Sequence, residues 1–474
     1  MNTIRTFSIA VILIASFTIS HAATALAVST SNTTDRLNNY ISISLETYDI
    51  PGASAVIQKD NKILIDTSWG HSSNGSNVTA NTPFLIGSLS KPITATAIVL
   101  LAQNGIIKLD EPIKTYLPQF EYSSSSSQPI KVRHLLEQTS GISAEDGLNV
   151  TDRQHTPSGA LSEAVNALNN VKLQSIPGET YTYTSANYLL LGAIIESASG
   201  KSYSDYVTTE LFKPLAMNTT SATLQDSQRD GLVPGYSSWF GNPLQSNGFY
   251  DHSGAPYGYL SSTAHDIMKF LQFMKNGNAI LNDQSMEILR TVPKKGTYGV
   301  GWFYSPESKY FYHGGATPDY RAEIFYSPER NFSGVILTNK YHNLEDQQVA
   351  DIMNGARAIA DNKTPSDPPQ QSHVIQWSIF SLCIVLAGWC TYTIYRLVKP
   401  RRHTKSLRDG IIGGVLIVIA IGLALAFPLI FGAPWHSIIL FAPDIAVLSI
   451  SLIVLLCANG ALSLLCILKR IRKH

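Results

Sequence analysis

Three long apolar stretches near the C-terminal end most constrain how this chain can fold. They cover residues 375–397, 411–431 and 445–468. At about 1.5 Å per residue, a helix of each length crosses a hydrocarbon layer roughly 30 Å thick. Because backbone polar groups in lipid must be satisfied within their own segment, these stretches predict a membrane region, 375–474, with three transmembrane helices.

Positively charged residues around these stretches predict their orientation. Six Lys and Arg residues lie in or beside the first connection and four lie near the end of the chain, whereas the second connection, GAPWHS, has none. By the positive-inside rule, the first connection and the C-terminus are cytoplasmic. The sequence therefore predicts a multi-pass protein of the cell membrane, with residues 28–370 on the outer side.

The N-terminus supports the same topology. Arg5 precedes an apolar run, and small residues of the A-x-A type follow at 23–27. This pattern predicts a cleaved secretion signal over 1–27, with a retained signal anchor as the alternative. Either form exports a domain predicted over 28–360, and a polar, proline-rich linker at 361–374 connects that domain to the membrane region.

Composition excludes some kinds of site and partner. The chain has 35 Lys and Arg against 34 Asp and Glu, so its net charge does not indicate a nucleic-acid partner. All cysteines lie in the membrane region, at Cys383, Cys390, Cys457 and Cys466. The exported domain therefore has neither a disulfide nor a cysteine-based metal site, and its core alone must stabilise it.

A serine and a lysine three residues apart begin a helix-like stretch, GSLSKPITATAIVLLAQNG, at 87–105. Apolar residues at helical spacing continue until Asn104-Gly105. Ser88 is therefore expected near a helix N-terminus, with Lys91 one turn further along the same face. Unpaired N–H groups there stabilise a negative oxygen, and a buried lysine with a lowered pKa can accept the serine proton. The alternative is an ordinary helix start, where serine is a common N-cap.

Three further stretches supply partners for this pair. They are IKVRHLLEQTSGIS at 130–143, PGETYTYTSANYLLLGAIIESASG at 177–200 and YFYHGGATPDYRAEIFYSP at 310–328. With Ser-x-x-Lys, and in this order, they resemble the serine β-lactamase and penicillin-binding-protein superfamily, in its class C-like branch. The resemblance implies a mixed α/β (α+β) fold, an antiparallel sheet flanked by helices plus an all-helical subdomain, with the active site between them.

The resemblance also implies roles for individual residues. Ser88 takes the place of the acylated nucleophile, Lys91 that of the general base, and Tyr183 that of a tyrosine that passes protons between them. The alternative for Tyr183 is a core aromatic, since Tyr181 lies two residues earlier on the same strand-like face. The family's Tyr-x-Asn has a serine, Ser185, at its third position, and a hydroxyl donates only one hydrogen bond where an amide donates two.

The third motif, His313-Gly314-Gly315, stands where most relatives have Lys-Thr-Gly and many class C-like esterases and peptidases have His-x-Gly. Its glycines let the strand approach a substrate closely. The resemblance implies that the N–H of Ala316 completes an oxyanion hole with the N–H of Ser88. Histidine replaces a permanent cation by a group that is largely neutral at pH 7, so we expect weak recognition of a substrate carboxylate.

These features predict an exported, membrane-anchored serine hydrolase that acts through an acyl-enzyme. Its expected substrate is a D-amino-acid peptide or ester of the cell envelope, or a related ester. A β-lactamase is one alternative, and a penicillin-binding sensor that is acylated without turnover is another. The expected partners are a small-molecule or envelope substrate and the membrane, with no nucleic acid, and the resemblance implies no metal and no organic cofactor.

Overall fold

The secondary structure is that of a computed structural model, which describes residues 32–277, 280–293, 296–398 and 407–471. The signal predicted over 1–27 lies outside these residues. The strands are β1 (Gly52–Lys59), β2 (Lys62–Gly70), β3 (Phe84–Leu85), β4 (Tyr122–Ser123), β5 (Val171–Lys172), β6 (Tyr236–Trp239), β7 (Asn242–Gln245), β8 (Ser261–Ser262), β9 (Phe303–Ser305), β10 (Tyr310–Thr317), β11 (Tyr320–Ser327), β12 (Phe332–Thr338) and β13 (Lys340–Tyr341). The α-helices are α1 (Thr33–Thr47), α2 (Ser90–Gln103), α3 (Val132–Leu136), α4 (Ala144–Val150), α5 (Ala160–Leu168), α6 (Ser185–Ser199), α7 (Tyr203–Val207), α8 (Leu224–Arg229), α9 (Ala264–Asn276), α10 (Asp283–Leu289), α11 (Gln347–Ala360), α12 (Val374–Val398), α13 (Leu407–Phe431), α14 (Trp435–Phe441) and α15 (Pro443–Ile471).

A six-stranded sheet forms the centre of the large domain. Its strand order is β2-β1-β12-β11-β10-β9, and each neighbouring pair is antiparallel. β9 pairs with residues 310–312 of β10 only. The second half of β10, which contains the two glycines of the third motif, therefore extends past β9 towards the Ser88 turn.

Helices cover both faces of this sheet. On one face α1 and α11 pack together; Leu37, Ile41 and Leu45 lie at helical spacing in α1 and are buried with Ile352 of α11. The N-terminus of α1 is capped by Asn32, whose side chain accepts a hydrogen bond from a backbone N–H in the first turn. α2 and α9 belong to the larger core on the other face.

The second part of the domain is helical and includes α3 to α8. At its centre is α6, whose residues Leu189, Leu190, Ile194 and Ile195 are fully buried in the larger core. The buried helix brings its first turn, which follows Tyr183, to the junction with the sheet. The antiparallel sheet, its flanking helices and this helical part confirm the predicted fold class.

Three of the helices in the described part of the chain are long and apolar enough to cross a membrane. Their candidate spans are Val374–Val398, Arg408–Phe431 and Pro443–Cys466, in agreement with the three stretches predicted from the sequence. A short helix between the second and third spans, α14, was not predicted. It occupies the connection that contains no Lys or Arg.

The large domain contacts the ends of these helices through a few specific side chains. His342 Nε2 and Asp444 Oδ1 lie 2.8 Å apart, and both side chains are buried. The second oxygen of Asp444 accepts from the Phe240 backbone N–H at 3.0 Å. The Phe240 ring lies 4.8 Å from that of Trp377 in α12. The start of α12 and the α13–α15 connection therefore lie on the side of the bundle that faces the domain.

Candidate active site

Ser88 lies in a tight turn between the sheet and α2. The turn is a 3₁₀ helix, Gly87–Leu89, and α2 follows it directly. Gly87 has a φ of 56°, in the left-handed region that favours glycine. A Cβ atom at this position would lie 2.1 Å from the Ala316 nitrogen. Glycine therefore allows β10 to pack directly against the turn that carries Ser88.

Lys91 reaches the Ser88 hydroxyl from the first turn of α2. Its Nζ donates to Ser88 Oγ at 2.9 Å, to Ser185 Oγ at 3.2 Å and to the Tyr257 carbonyl at 2.8 Å. Burial lowers the pKa of Lys91 to about 7, and the Asp152 carboxylate opposes this shift. The neutral form of Lys91 is therefore accessible near pH 7, and a neutral amine can accept the serine proton.

Tyr183 lies beside the Ser88–Lys91 pair. Lys91 Nζ is 5.1 Å from the centroid of its ring. Burial raises the pKa of Tyr183 well above its ordinary value, and a hydrogen bond with the Ser88 side chain offsets part of that rise. The ring also stacks on Phe303 with centroids 5.9 Å apart. Tyr183 is therefore a protonated phenol at neutral pH that both packs in the core and contacts Ser88.

Gln138 holds the backbone that carries Tyr183 and Ser185. Its Oε1 accepts from the Thr184 backbone N–H at 3.1 Å and from Asn187 Nδ2 at 2.5 Å. These contacts satisfy polar groups at the start of α6, where backbone N–H groups have no partner within the helix. The stretch HLLEQTSG, which contributed to the resemblance without an assigned role, thus supports the tyrosine.

His313 is buried next to the site and remains neutral. Its Nδ1 donates to the Gly314 carbonyl at 2.6 Å, and its Nε2 accepts from the Tyr298 hydroxyl at 3.3 Å. Burial and the nearby Lys91 charge lower the pKa of His313 to about 3. The imidazole therefore provides a neutral wall and no positive charge in the physiological pH range.

The two glycines of β10 permit close approach on both sides of the strand. A Cβ atom on Gly315 would lie 2.1 Å from the Ile86 carbonyl oxygen and 2.9 Å from the Ser88 nitrogen. One on Gly314 would lie 2.5 Å from Glu323 Oε1. The backbone amides of Ser88 and Ala316 are consequently brought to the same small region, as an oxyanion hole requires.

A cluster of acids and tyrosines lies beyond Lys91, and sequence reasoning missed it. The Tyr259 hydroxyl donates to Asp152 Oδ1 at 2.6 Å, and the Tyr257 hydroxyl donates to Asp251 Oδ2 at 2.5 Å. Burial raises the pKa of Asp152 to about 6, although the Tyr259 hydrogen bond lowers it. The available signal was Tyr257-Gly258-Tyr259, in a stretch that contributed to the resemblance without a role in the site.

Ser88 lines two cavities. The first, here called the polar cavity, has a volume of about 670 Å³ and extends past β10 to α11. Its wall includes the buried ion pair of Arg321 and Glu323, whose charged atoms are 2.7 Å apart. Arg321 also donates to the Gly315 carbonyl at 3.2 Å. The polar cavity thus has a charged pair in its wall.

The second cavity, here called the interfacial cavity, has a volume of about 310 Å³. One wall belongs to the large domain and includes Ser88, Asp152 and Ser185, and the other comes from residues 431–442, between the second and third apolar spans. Ser88 and Ala316 line both cavities. The serine therefore has a polar space on one side and the membrane-region connection on the other.

Most of the large domain resembles known proteins in sequence. Residues 37–356, more than half of the chain, match the family model described as Beta-lactamase. The chain belongs to the Beta-lactamase family. It is 27% identical over 321 residues to Protein flp of Staphylococcus aureus (strain NCTC 8325 / PS 47), with 65% of this chain and 64% of that protein covered. It is 28% identical over 312 residues to Penicillin-binding protein 4* of Bacillus subtilis (strain 168), with 61% and 67% covered.

Less than two thirds of the length of flp is therefore matched by this member of the Beta-lactamase family.

Among solved structures, an octameric penicillin-binding protein homologue from Pyrococcus abyssi has a TM-score of 0.61 at 24% identity, over 73% of this chain and 81% of that one. A beta-lactamase/D-alanine carboxypeptidase from Yersinia pestis has a TM-score of 0.58 at 22% identity, over 69% and 99%. A D-amino acid amidase from Ochrobactrum anthropi SV3 has a TM-score of 0.57 at 22% identity, over 69% and 99%. These similarities show the shared fold.

Proposed function

We propose that this protein is a membrane-anchored serine hydrolase that works through an acyl-enzyme. The observation that carries the proposal is the 2.9 Å hydrogen bond from Lys91 Nζ to Ser88 Oγ, made by a lysine with a pKa of about 7. In the first step Ser88 Oγ attacks a substrate carbonyl while its proton passes to Lys91. The N–H groups of Ser88 and Ala316 stabilise the oxyanion that forms.

The same groups complete the reaction. Tyr183 is protonated and beside both residues, so it passes a proton from Lys91 to the departing alcohol or amine. Water then attacks the acyl-enzyme, its proton goes to Lys91, and Ser88 regains its own proton as the acid leaves. Ser185 holds the Lys91 nitrogen in place, and His313 forms a neutral wall beside the substrate.

The substrate class that we propose is a D-amino-acid peptide or ester of the cell envelope, or a related ester. D-Alanine carboxypeptidase and D-amino acid amidase are named among the structural neighbours, which supports this choice. A β-lactam is the second candidate, because the family includes such enzymes. His313 disfavours it, since a buried neutral imidazole attracts a substrate carboxylate less than a lysine would.

We further propose that the hydrolase domain, residues 28–360, lies outside the cytoplasm. The basic first connection and C-terminus support this orientation by the positive-inside rule. Protease added to intact cells or protoplasts should cut the 361–374 linker and release the domain, while a reporter fused after His474 stays protected. Digestion of that reporter from outside would show that the orientation is wrong.

Intact-mass analysis tests the acyl-enzyme directly. Protein purified with its membrane region is exposed to esters, D-alanyl-D-alanine peptides and β-lactams, and a covalent mass increase is sought. Ser88→Ala should lose the adduct and reduce ester turnover by several orders of magnitude, as in other catalytic units of this kind. Ser126→Ala, in the loop between β4 and α3, is the control and should keep both. Turnover by Ser88→Ala within tenfold of the wild type would exclude the mechanism.

A further inference from the structure

From the two cavities we infer that the substrate is an amphiphile resident in the same membrane. Its reacting ester or amide lies in the headgroup, its polar part binds in the polar cavity, and its apolar chain passes through the interfacial cavity. This inference rests on the proposed hydrolase function. It adds a substrate class that the reacting residues alone do not specify.

The composition of the interfacial cavity is the first argument. Its domain wall carries hydroxyl and carboxyl groups, whereas the opposite wall is almost entirely apolar. This side consists of Phe431, Gly432, Ala433, Ser437, Ile438, Phe441 and Ala442, and Ser437 is its one polar side chain. A ligand that contacts both walls near Ser88 must itself have a polar and an apolar part, because burying a polar group against apolar side chains without a hydrogen bond costs free energy.

The position of that apolar wall is the second argument. Phe431 ends the second candidate span, and the third begins at Pro443, so the wall is the segment that connects two membrane helices. Ile438 is 4% exposed and faces the domain, whereas its neighbour Ile439 is 48% exposed. A chain that leaves the cavity past the ends of these helices enters the bilayer in which they are embedded.

Specific side-chain contacts attach this apolar wall to the large domain. The Phe441 ring meets Tyr341 edge-to-face with centroids 6.0 Å apart. His436 hydrogen bonds the backbone of Leu148 and Thr151, two residues of the segment that leads to Asp152. The wall is therefore attached to β13 and to the segment that leads to Asp152.

Two esters that differ only in chain length test the inference. Full-length protein is reconstituted in phosphatidylcholine vesicles and given D-alanine ethyl ester or D-alanine dodecyl ester, and release of D-alanine is measured for both. The discriminating variant is Ile438→Trp, which narrows the cavity from its apolar wall. We expect it to lower the dodecyl-to-ethyl ratio of kcat/KM at least about tenfold, the effect of losing the burial of roughly two methylene groups.

Ile439→Trp is the matched control, because it adds the same bulk to the exposed side of the same helix. It should leave the ratio unchanged, and partition of the dodecyl ester into vesicles cancels since all proteins meet the same lipid. An unchanged ratio in Ile438→Trp, or an equal fall for both esters, would overturn the inference while leaving the hydrolase function intact. If wild-type protein hydrolyses neither ester and forms no adduct at Ser88, the proposed function itself has failed.

Discussion

His342 and Asp444 form a buried hydrogen-bonded pair, 2.8 Å apart, between the large domain and the third membrane-capable helix. Its removal should weaken the attachment of the domain to the helices. In His342→Ala the carboxylate keeps the Phe240 and Ile445 N–H groups but loses the imidazole, so the free energy of unfolding should fall by about 1–3 kcal/mol. Thermal unfolding in detergent, followed by ellipticity and by tryptophan fluorescence, measures this loss.

An exposed pair of the same type provides the control. His265 Nε2 lies 2.8 Å from Asp66 Oδ1, and both side chains are 39% exposed. His265→Ala should cost less than about 1 kcal/mol, because solvent screens exposed pairs. Equal destabilisation by the two substitutions would mean that burial of the His342 pair does not contribute to the attachment.

Asp152→Asn should move the acid limb of the pH–rate profile to lower pH. The Asp152 carboxylate raises the pKa of Lys91, and without it burial alone sets that pKa, which then falls below about 7. Since the neutral amine is the base, kcat/KM for a neutral ester should exceed that of wild type between about pH 6 and 7 and converge with it above pH 8. Below about pH 6 the difference should shrink again, because Asp152 is then protonated in the wild type. Asn keeps an acceptor for the Tyr259 hydroxyl. Asp35→Asn, on the exposed face of α1, should leave the profile unchanged, and a shift of the Asp152→Asn profile to higher pH would contradict the assignment.

His313 should not create a pH-dependent preference for carboxylate substrates. Its pKa is held at about 3 by burial and by the Lys91 charge, so the imidazole stays neutral as pH falls from 8 to 5. The ratio of kcat/KM for a carboxylate-bearing ester to that for its neutral analogue should therefore be flat over this range. A preference for the carboxylate that emerges below pH 6.5 would mean that the imidazole does become charged.

His313→Lys should change that ratio in favour of the carboxylate. A cation paired with a partly desolvated carboxylate contributes roughly 1.5–3 kcal/mol, or about ten- to a hundredfold in relative kcat/KM. The ratio is the useful measurement, because a second ammonium close to Lys91 also lowers the rate or the pKa of the base for every substrate. A ratio unchanged from wild type would show that this position does not set substrate charge preference.

Gly315→Ala should impair acylation while the domain stays folded and attached to the membrane helices. The added methyl would lie 2.1 Å from the Ile86 carbonyl and 2.9 Å from the Ser88 nitrogen, so β10 must move away from the turn. Loss of one oxyanion donor typically lowers kcat by about 10²–10³. Gly414→Ala, whose methyl meets no atom within 4 Å, is the control, and wild-type acylation rates in Gly315→Ala would argue against this oxyanion hole.

The residues around Ser88 were predictable because their signals are local, and the fold class followed from the family that these motifs resemble. Ser88 and Lys91 are one turn apart, and Tyr183 and His313 each belong to a short motif with glycines or apolar residues at fixed positions. The three apolar stretches were likewise predictable, because their length and hydropathy can be read directly from the sequence. Structure confirmed the fold class and the three helices, and it places the motif residues together at one site.

The contacts that join distant segments were not predictable in this way. Asp152 acquires its role through Tyr259, more than a hundred residues away, and its own surroundings, NVTDRQH, carry no motif. The same holds for α14, a helix of seven residues, because a short segment between two membrane stretches predicts a connection and gives no indication of what covers it. Long-range packing and burial decide both, and neither is visible in local spacing.

The buried His342–Asp444 contact also fixes the height of Ser88 above the membrane helices. Because the domain is held to the helix ends by side chains rather than by the 361–374 linker alone, Ser88 stands at one level relative to the bilayer surface. A reactive group tethered in that bilayer is presented at a level that depends on the length of its stem. For the proposed hydrolase, the height of Ser88 would therefore select substrates by stem length, since a chemically identical group on a longer polar stem would lie above the serine.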